Sequence, residues 1–148
     1  MSGYKDGEAL WLTRVRAVSG FDTSNTSRGN WTILNNGAAD IYAILKPGEW
    51  NREMIGFNRR LNVYQTIIQV WQKYREDGTS MINLEDKIND ILVSVDTYPQ
   101  IGDSGNTVID AQIIAVREVQ QTPADAPTWM YAELVGEWQE EIAITYVE

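Results

Sequence analysis

Residues 59–74 read RRLNVYQTIIQVWQKY, and residues 80–96, close behind them, read SMINLEDKINDILVSVD. The first stretch carries Leu61, Val63, Tyr64, Ile67, Ile68, Val70 and Trp71, a β-branched and aromatic composition that predicts a long strand. In the second, Leu84, Ile88, Ile91, Leu92 and Val95 recur at helical spacing, with Glu85, Asp86, Asn89 and Asp90 on the other side. That pattern predicts an amphipathic helix. Ser80 is the expected N-cap, and Pro99 should end the helix by Tyr98, because a proline disfavours helical geometry in the residue before it.

Working outward, residues 6–19 predict a first amphipathic helix with a stripe of Trp11, Leu12, Val15 and Val18. Asp6 would cap it, Gly20 would stop it, and Phe21 would fold back onto it. Residues 22–37, rich in Ser, Thr, Asn and Gly, read as loop with a short strand at most. Ala38 to Leu45 predicts a strand that Lys46-Pro47-Gly48 should close, since proline fixes φ and glycine frees it. The segment from Lys46 to Arg60 is then a loop or a hairpin reaching off the body.

On the other side of the central helix, Gly102-Asp103-Ser104-Gly105 marks a turn. Thr107 to Val119 alternates, which places Ile109, Ala111, Ile113, Ala115 and Val119 on one apolar face. A Pro-punctuated loop at 120–128 leads to a final β segment from Trp129 to Glu148, with Gly136 as its expected break. Strands of this kind with two striped helices predict an α+β fold. It would be a mainly antiparallel sheet with two amphipathic helices packed on one face, in a single domain over 1–148.

With 148 residues and 43% hydrophobic content, the chain can build one continuous core. It has no Cys and no His, which removes disulfides, thiolate and imidazole metal sites, and the Ser-His or Cys-His nucleophile. Ser104 therefore has no base to activate it, and the turn explains its flanking glycines. The pairs Glu76/Asp77, Glu85/Asp86 and Glu140/Glu141 are the remaining candidates for acid–base chemistry or a divalent ion. Adjacent carboxylates diverge, however, and read as solvated surface. No phosphate-binding glycine loop is present. The expectation is a protein that is not an enzyme and has no cofactor or metal.

No apolar run approaches the roughly 20 residues of a membrane span, and Met1 to Glu8 lacks the pattern of a signal peptide, so a cytosolic setting without membrane contact is expected. The asparagine triplets at Asn25 and Asn30 then read as chance matches to a glycosylation signal. A net charge of −9 argues against gripping nucleic acid. Charge is unevenly distributed along the chain. After Arg117 every charged residue is acidic, among them Glu133, Glu137, Glu140 and Glu141, whereas Lys46, Arg52, Arg59 and Arg60 cluster in the 46–60 segment. That segment also holds Trp50, Met54 and Phe57, residue types enriched in interface hot spots. A basic loop and an acidic end at different places on one molecule predict a head-to-tail contact, which can close into a ring. Six Trp and seven Tyr against two Phe fit half-wet interface positions. The interface candidates are thus Lys46, Trp50, Arg52, Phe57, Arg59, Arg60, Glu137, Glu140 and Glu141.

The order of these elements resembles the tail terminator proteins of long-tailed bacteriophages, the family of the lambda minor tail protein U. The features that carry the resemblance are the opening helix, the strand closing in Leu45-Lys46-Pro47-Gly48-Glu49, and the strand Val63-Tyr64-Gln65-Thr66-Ile67-Ile68-Gln69-Val70. A helix entering Val95-Asp96-Thr97-Tyr98-Pro99 and a closing Ile142-Ala143-Ile144-Thr145-Tyr146-Val147 strand complete it. The resemblance implies a homo-oligomeric ring, a hexamer, at the head-proximal end of the tail tube. Its partners would be the tail tube protein and the head-tail connector, and DNA would pass through the channel without specific binding. It also implies a virion location, after assembly in the host cytoplasm. Other phage neck proteins and a free-standing cytosolic adaptor are alternative readings. A small enzyme using Asp/Glu and Mg²⁺ is a third.

Overall fold

The computed structural model describes residues 3–100 and 108–144. In chain order its elements are α1 (Tyr4–Arg16), β1 (Thr26–Arg28), α2 (Ile33–Asn36), β2 (Ile41–Gly56), β3 (Arg59–Lys73), α3 (Thr79–Thr97), β4 (Val108–Val116), β5 (Gln120–Thr122) and β6 (Trp129–Ala143). The strands form one sheet in the order β1-β2-β3-β6-β4, with β5 also on β6, and every pairing is antiparallel except β1 with β2. The fold is α+β, as the sequence predicts.

The core lies between one sheet face and the two long helices. Alternate positions supply the sheet side: Ala43 and Leu45 from β2, Tyr64, Ile68 and Val70 from β3, and Met130, Ala132, Leu134 and Trp138 from β6. Against them α1 sets Trp11, Leu12 and Val15, and α3 sets Leu84, Ile88, Ile91 and Val95, the stripes legible in the sequence. Each large side chain withdrawn from water in this way contributes about 1.5–3 kcal/mol. Val18 and Phe21 also enter this cluster, so the chain leaving α1 does fold back.

The helix ends differ from expectation. α1 begins after Gly3, so Asp6 lies inside the first turn and is not its cap. The helix stops at Arg16, before Gly20. Gly78, at φ 81°, precedes α3, and Ser80 is drawn inside. Its Oγ accepts from the Arg75 N–H at 2.6 Å and donates to the Lys73 carbonyl at 3.0 Å, stitching the helix start to the end of β3.

Three strand expectations and one loop expectation need correction. β2 does not stop at Pro47 but continues to Gly56. β1 ends level with Leu45, so beyond that point β2 has lost its outer neighbour among the described residues, and a missing proline N–H costs no ladder bond. A register shift between Pro47 and Trp50 absorbs Gly48 as a bulge. β6 runs unbroken through Gly136, whose role is packing: a Cβ there would stand 2.9 Å from the Trp11 ring. In β4, two register shifts defeat the simple alternation, so Ala111 is buried and Ile113 half-buried while Ala115 is exposed. Finally, the 22–37 loop holds a helical turn, α2, besides the short strand. This segment covers the opposite sheet face, where Gly37 packs on Tyr42 and the Trp31 indole N–H donates to Gln69 Oε1 at 2.7 Å. Gly102 to Gly105 lie outside the described residues.

Candidate interaction arm

Beyond the helices, β2, β3 and β6 run on together as a three-stranded arm. Met54 pairs with Arg60 and Gly56 with Arg59, leaving Phe57 and Asn58 as the turn. On the other side Arg59 pairs with Ala143, and the Ile144 N–H donates to the Asn58 carbonyl at 2.7 Å. The 46–60 segment is therefore a hairpin, and β6 braces it to its tip.

The arm is long because all three strands keep β-compatible residues past the body, but α1 ends short of it. Its apolar groups consequently face water: Phe57 is 87% exposed, Trp50 57%, Met54 50% and Ile55 44%. Trp50 makes aromatic contacts as well, with its ring centroid 4.9 Å from Tyr4 and 6.2 Å from Tyr64. The tip residues make no contribution to the core cluster. Exposed apolar residues grouped in this way mark association surfaces.

The charge reading is corrected by the strand order. β3 and β6 are neighbours, so the basic and acidic segments lie side by side and neutralise one another. Arg59 pairs with Glu141 at 3.0 Å and Lys46 with Glu133 at 3.2 Å. Glu137 accepts a hydrogen bond from Gln65 at 3.4 Å, again within the sheet. The two patches are not opposite sides of the molecule. Glu140 is not surface charge at all: it is 2% exposed.

On the helix-facing side of the arm, just past the start of α1, lies a groove of about 510 Å³ between Trp50, Arg52, Asn62, Tyr64, Glu140 and Ile142. A hydrogen-bond chain crosses it. Arg52 Nε donates to Asn62 Oδ1 at 3.2 Å, Asn62 Nδ2 donates to the Tyr64 hydroxyl at 2.9 Å, and that hydroxyl donates to Glu140 Oε1 at 3.3 Å. Burial pushes the Tyr64 phenol up, more than the Asn62 hydrogen bond lowers it. Glu140 Oε2 is buried and has no hydrogen-bond partner among the described residues. The Arg60 side chain, half-buried on the same side, makes no ion pair or hydrogen bond among them either. Of this groove, the sequence singled out Trp50, Arg52 and Glu140 but not Asn62, Tyr64 or Ile142. Period-2 spacing places Asn62 and Tyr64 on one face of β3, yet only the β3–β6 register shows Glu140 opposite Asn62.

On the opposite face Glu133 is the electrostatic centre, receiving Lys46, Arg117 Nη1 at 3.0 Å and Gln69 Nε2 at 2.9 Å. Burial pushes its carboxyl up, but these hydrogen bonds and charges outweigh that effect and hold it below the ordinary value of 4.5. A depressed folded-state pKa contributes stability that is present above the ordinary value and lost as pH falls through the folded one. Glu133→Gln should therefore be less stable than the parent at neutral pH, with the gap closing below pH 4.5, as denaturant melts at stepped pH will measure.

Among the described residues no cluster of three Asp or Glu is placed to hold a metal ion, and no helix is long and apolar enough to cross a membrane. Compared with protein-family models and with curated protein sequences, the chain matches none.

Proposed function

We propose that this chain is a structural assembly protein whose working part is the three-stranded arm, used to join copies of itself and to seat them on a neighbouring protein. The observation that carries this reading is the exposure of Trp50, Met54, Ile55 and Phe57 on an arm whose strands stay paired out to its tip, through register shifts at Pro47/Trp50 and Met54/Gly56. Pre-ordered strands lose little conformational entropy on binding, so such an arm is suited to docking.

The resemblance to phage tail terminators specifies the assembly: a ring, a hexamer in that family, that ends the tail tube and meets the head connector. DNA would pass through it without specific contacts. The net charge of −9 supports a channel that does not grip DNA. In this reading the chain is not an enzyme and needs no cofactor. Because the basic and acidic segments cancel within one chain, the ring contact rests on the arm's apolar side chains more than on opposite charges.

Electron microscopy of the purified chain mixed with tail tubes tests this. A ring of density capping one end of each tube is expected. Bare tube ends, with a chain that stays monomeric by light scattering, are the contrary result.

A further inference from the structure

We propose that the groove on the helix-facing side of the arm receives Arg60 of a second copy of this chain, set against Glu140. This rests on the self-assembly reading and adds to it the side chains that meet.

The chain leaves one buried acidic side chain uncompensated. Glu140 is 2% exposed, and among the described residues its side chain has a single, long hydrogen bond, from Tyr64 to Oε1, while Oε2 has no donor. A carboxylate removed from water needs a cation or several donors, and leaving it without them is costly. Arg52, the guanidinium that lines the groove, is turned to Asn62 and makes no ion pair with Glu140. An incoming cation is the missing element. The walls of the groove specify its kind: Trp50 and Tyr64 stand edge-to-face at 6.2 Å, and aromatic walls of this sort favour a flat guanidinium, which stacks on rings and forks onto a carboxylate.

The chain itself carries a matching group. Arg60 lies on the same side of the arm, paired through its backbone with Met54 and Ile142, and its guanidinium has no ion pair or hydrogen bond among the described residues. Each copy therefore presents an acceptor lacking a cation and a cation lacking an acceptor, beside exposed Trp50 and Met54 that association would cover. Complementarity between copies follows. Because Arg60 and Glu140 are different residues, the pair forms once per contact when it passes from each copy to the next, and twice when two copies meet about a two-fold axis.

The test is complementation by mixing. Arg60→Ala changes a half-buried side chain outside the core cluster, and Glu140→Gln removes the buried charge while keeping the shape. Each alone should weaken self-association measured by sedimentation by roughly thirtyfold or more, the usual effect of leaving one member of a buried pair alone. An equimolar mixture should recover dimers, since the Glu140 of one variant can take the Arg60 of the other. Thermal melts of the Glu140→Gln monomer should show no loss of stability. If both variants associate as tightly as the parent, the groove assignment falls and the assembly reading stands. A parent chain that stays monomeric alone and on tail tubes overturns both. Variants that weaken association but do not complement overturn the pairing of these two residues.

Discussion

Trp138→Ala should destabilise the protein by about 3–5 kcal/mol, the largest effect expected of any single truncation here. Trp138 is fully buried in β6, and its ring lies 5.4 Å from Tyr4, 5.4 Å from Tyr64 and 6.1 Å from Trp11. It is the point where α1 meets the sheet at the base of the arm. Removing the indole opens a cavity whose walls are themselves large, inflexible rings, so little collapse can fill it. A fall in melting temperature of roughly 6–20 °C follows for a chain of this size. Trp138→Phe should recover part of the loss. A change below about 1 kcal/mol would mean that the aromatic cluster is not what fastens α1.

Gly7→Ala should destabilise as well, although it replaces a helix-interior glycine with the best helix former. Propensity alone predicts a gain of about 1 kcal/mol. The structure predicts the opposite sign, because a Cβ at position 7 would lie 2.5 Å from Trp138 Nε1, with two further ring atoms at 2.5 and 2.6 Å. That ring is wedged among three others and cannot swing away, so α1 must lift from the sheet, at a cost of about 1–3 kcal/mol after the propensity gain is overcome. Urea melts of Gly7→Ala and Gly7→Val decide it. Increasing loss from Ala to Val is expected, and a stabilised Gly7→Ala would show that α1 sits farther from β6.

These two sites show where sequence reading reaches its limit. The stripes of α1 and α3 and the strand at 59–73 were legible because each is a local period, set by which side must meet the core. The end of β2 was misread because a Pro-Gly step stops a strand only where a neighbour needs the missing N–H, and β1 ends at Arg28, level with Leu45, before Pro47 is reached. β4 was misread because its bulges break the period that defined its face. Gly136 reads in the sequence as a break, and Gly7 carries no local signal at all. Their role is to admit Trp138 and Trp11, contacts between elements more than a hundred residues apart in the chain.

The candidate site was legible in its residues and not in its arrangement. Trp50, Met54 and Phe57 stood out by type, and all three are exposed on the arm. The charge split along the sequence was real, but its spatial meaning depended on which strands are neighbours. Pairing β3 with β6 brought Arg59 against Glu141 and buried Glu140, so one apparent interface became an internal ion pair and a groove.

The central claim, that the arm is the working surface, is tested most directly by a paired substitution at its tip. Met54→Ser with Phe57→Ser alters two exposed side chains, so the melting curve should stay within about 0.5 kcal/mol of the parent. Co-sedimentation with tail tubes is the measurement. The parent should pellet with the tubes, and the folded variant should stay in the supernatant. A variant that pellets as fully as the parent would contradict it.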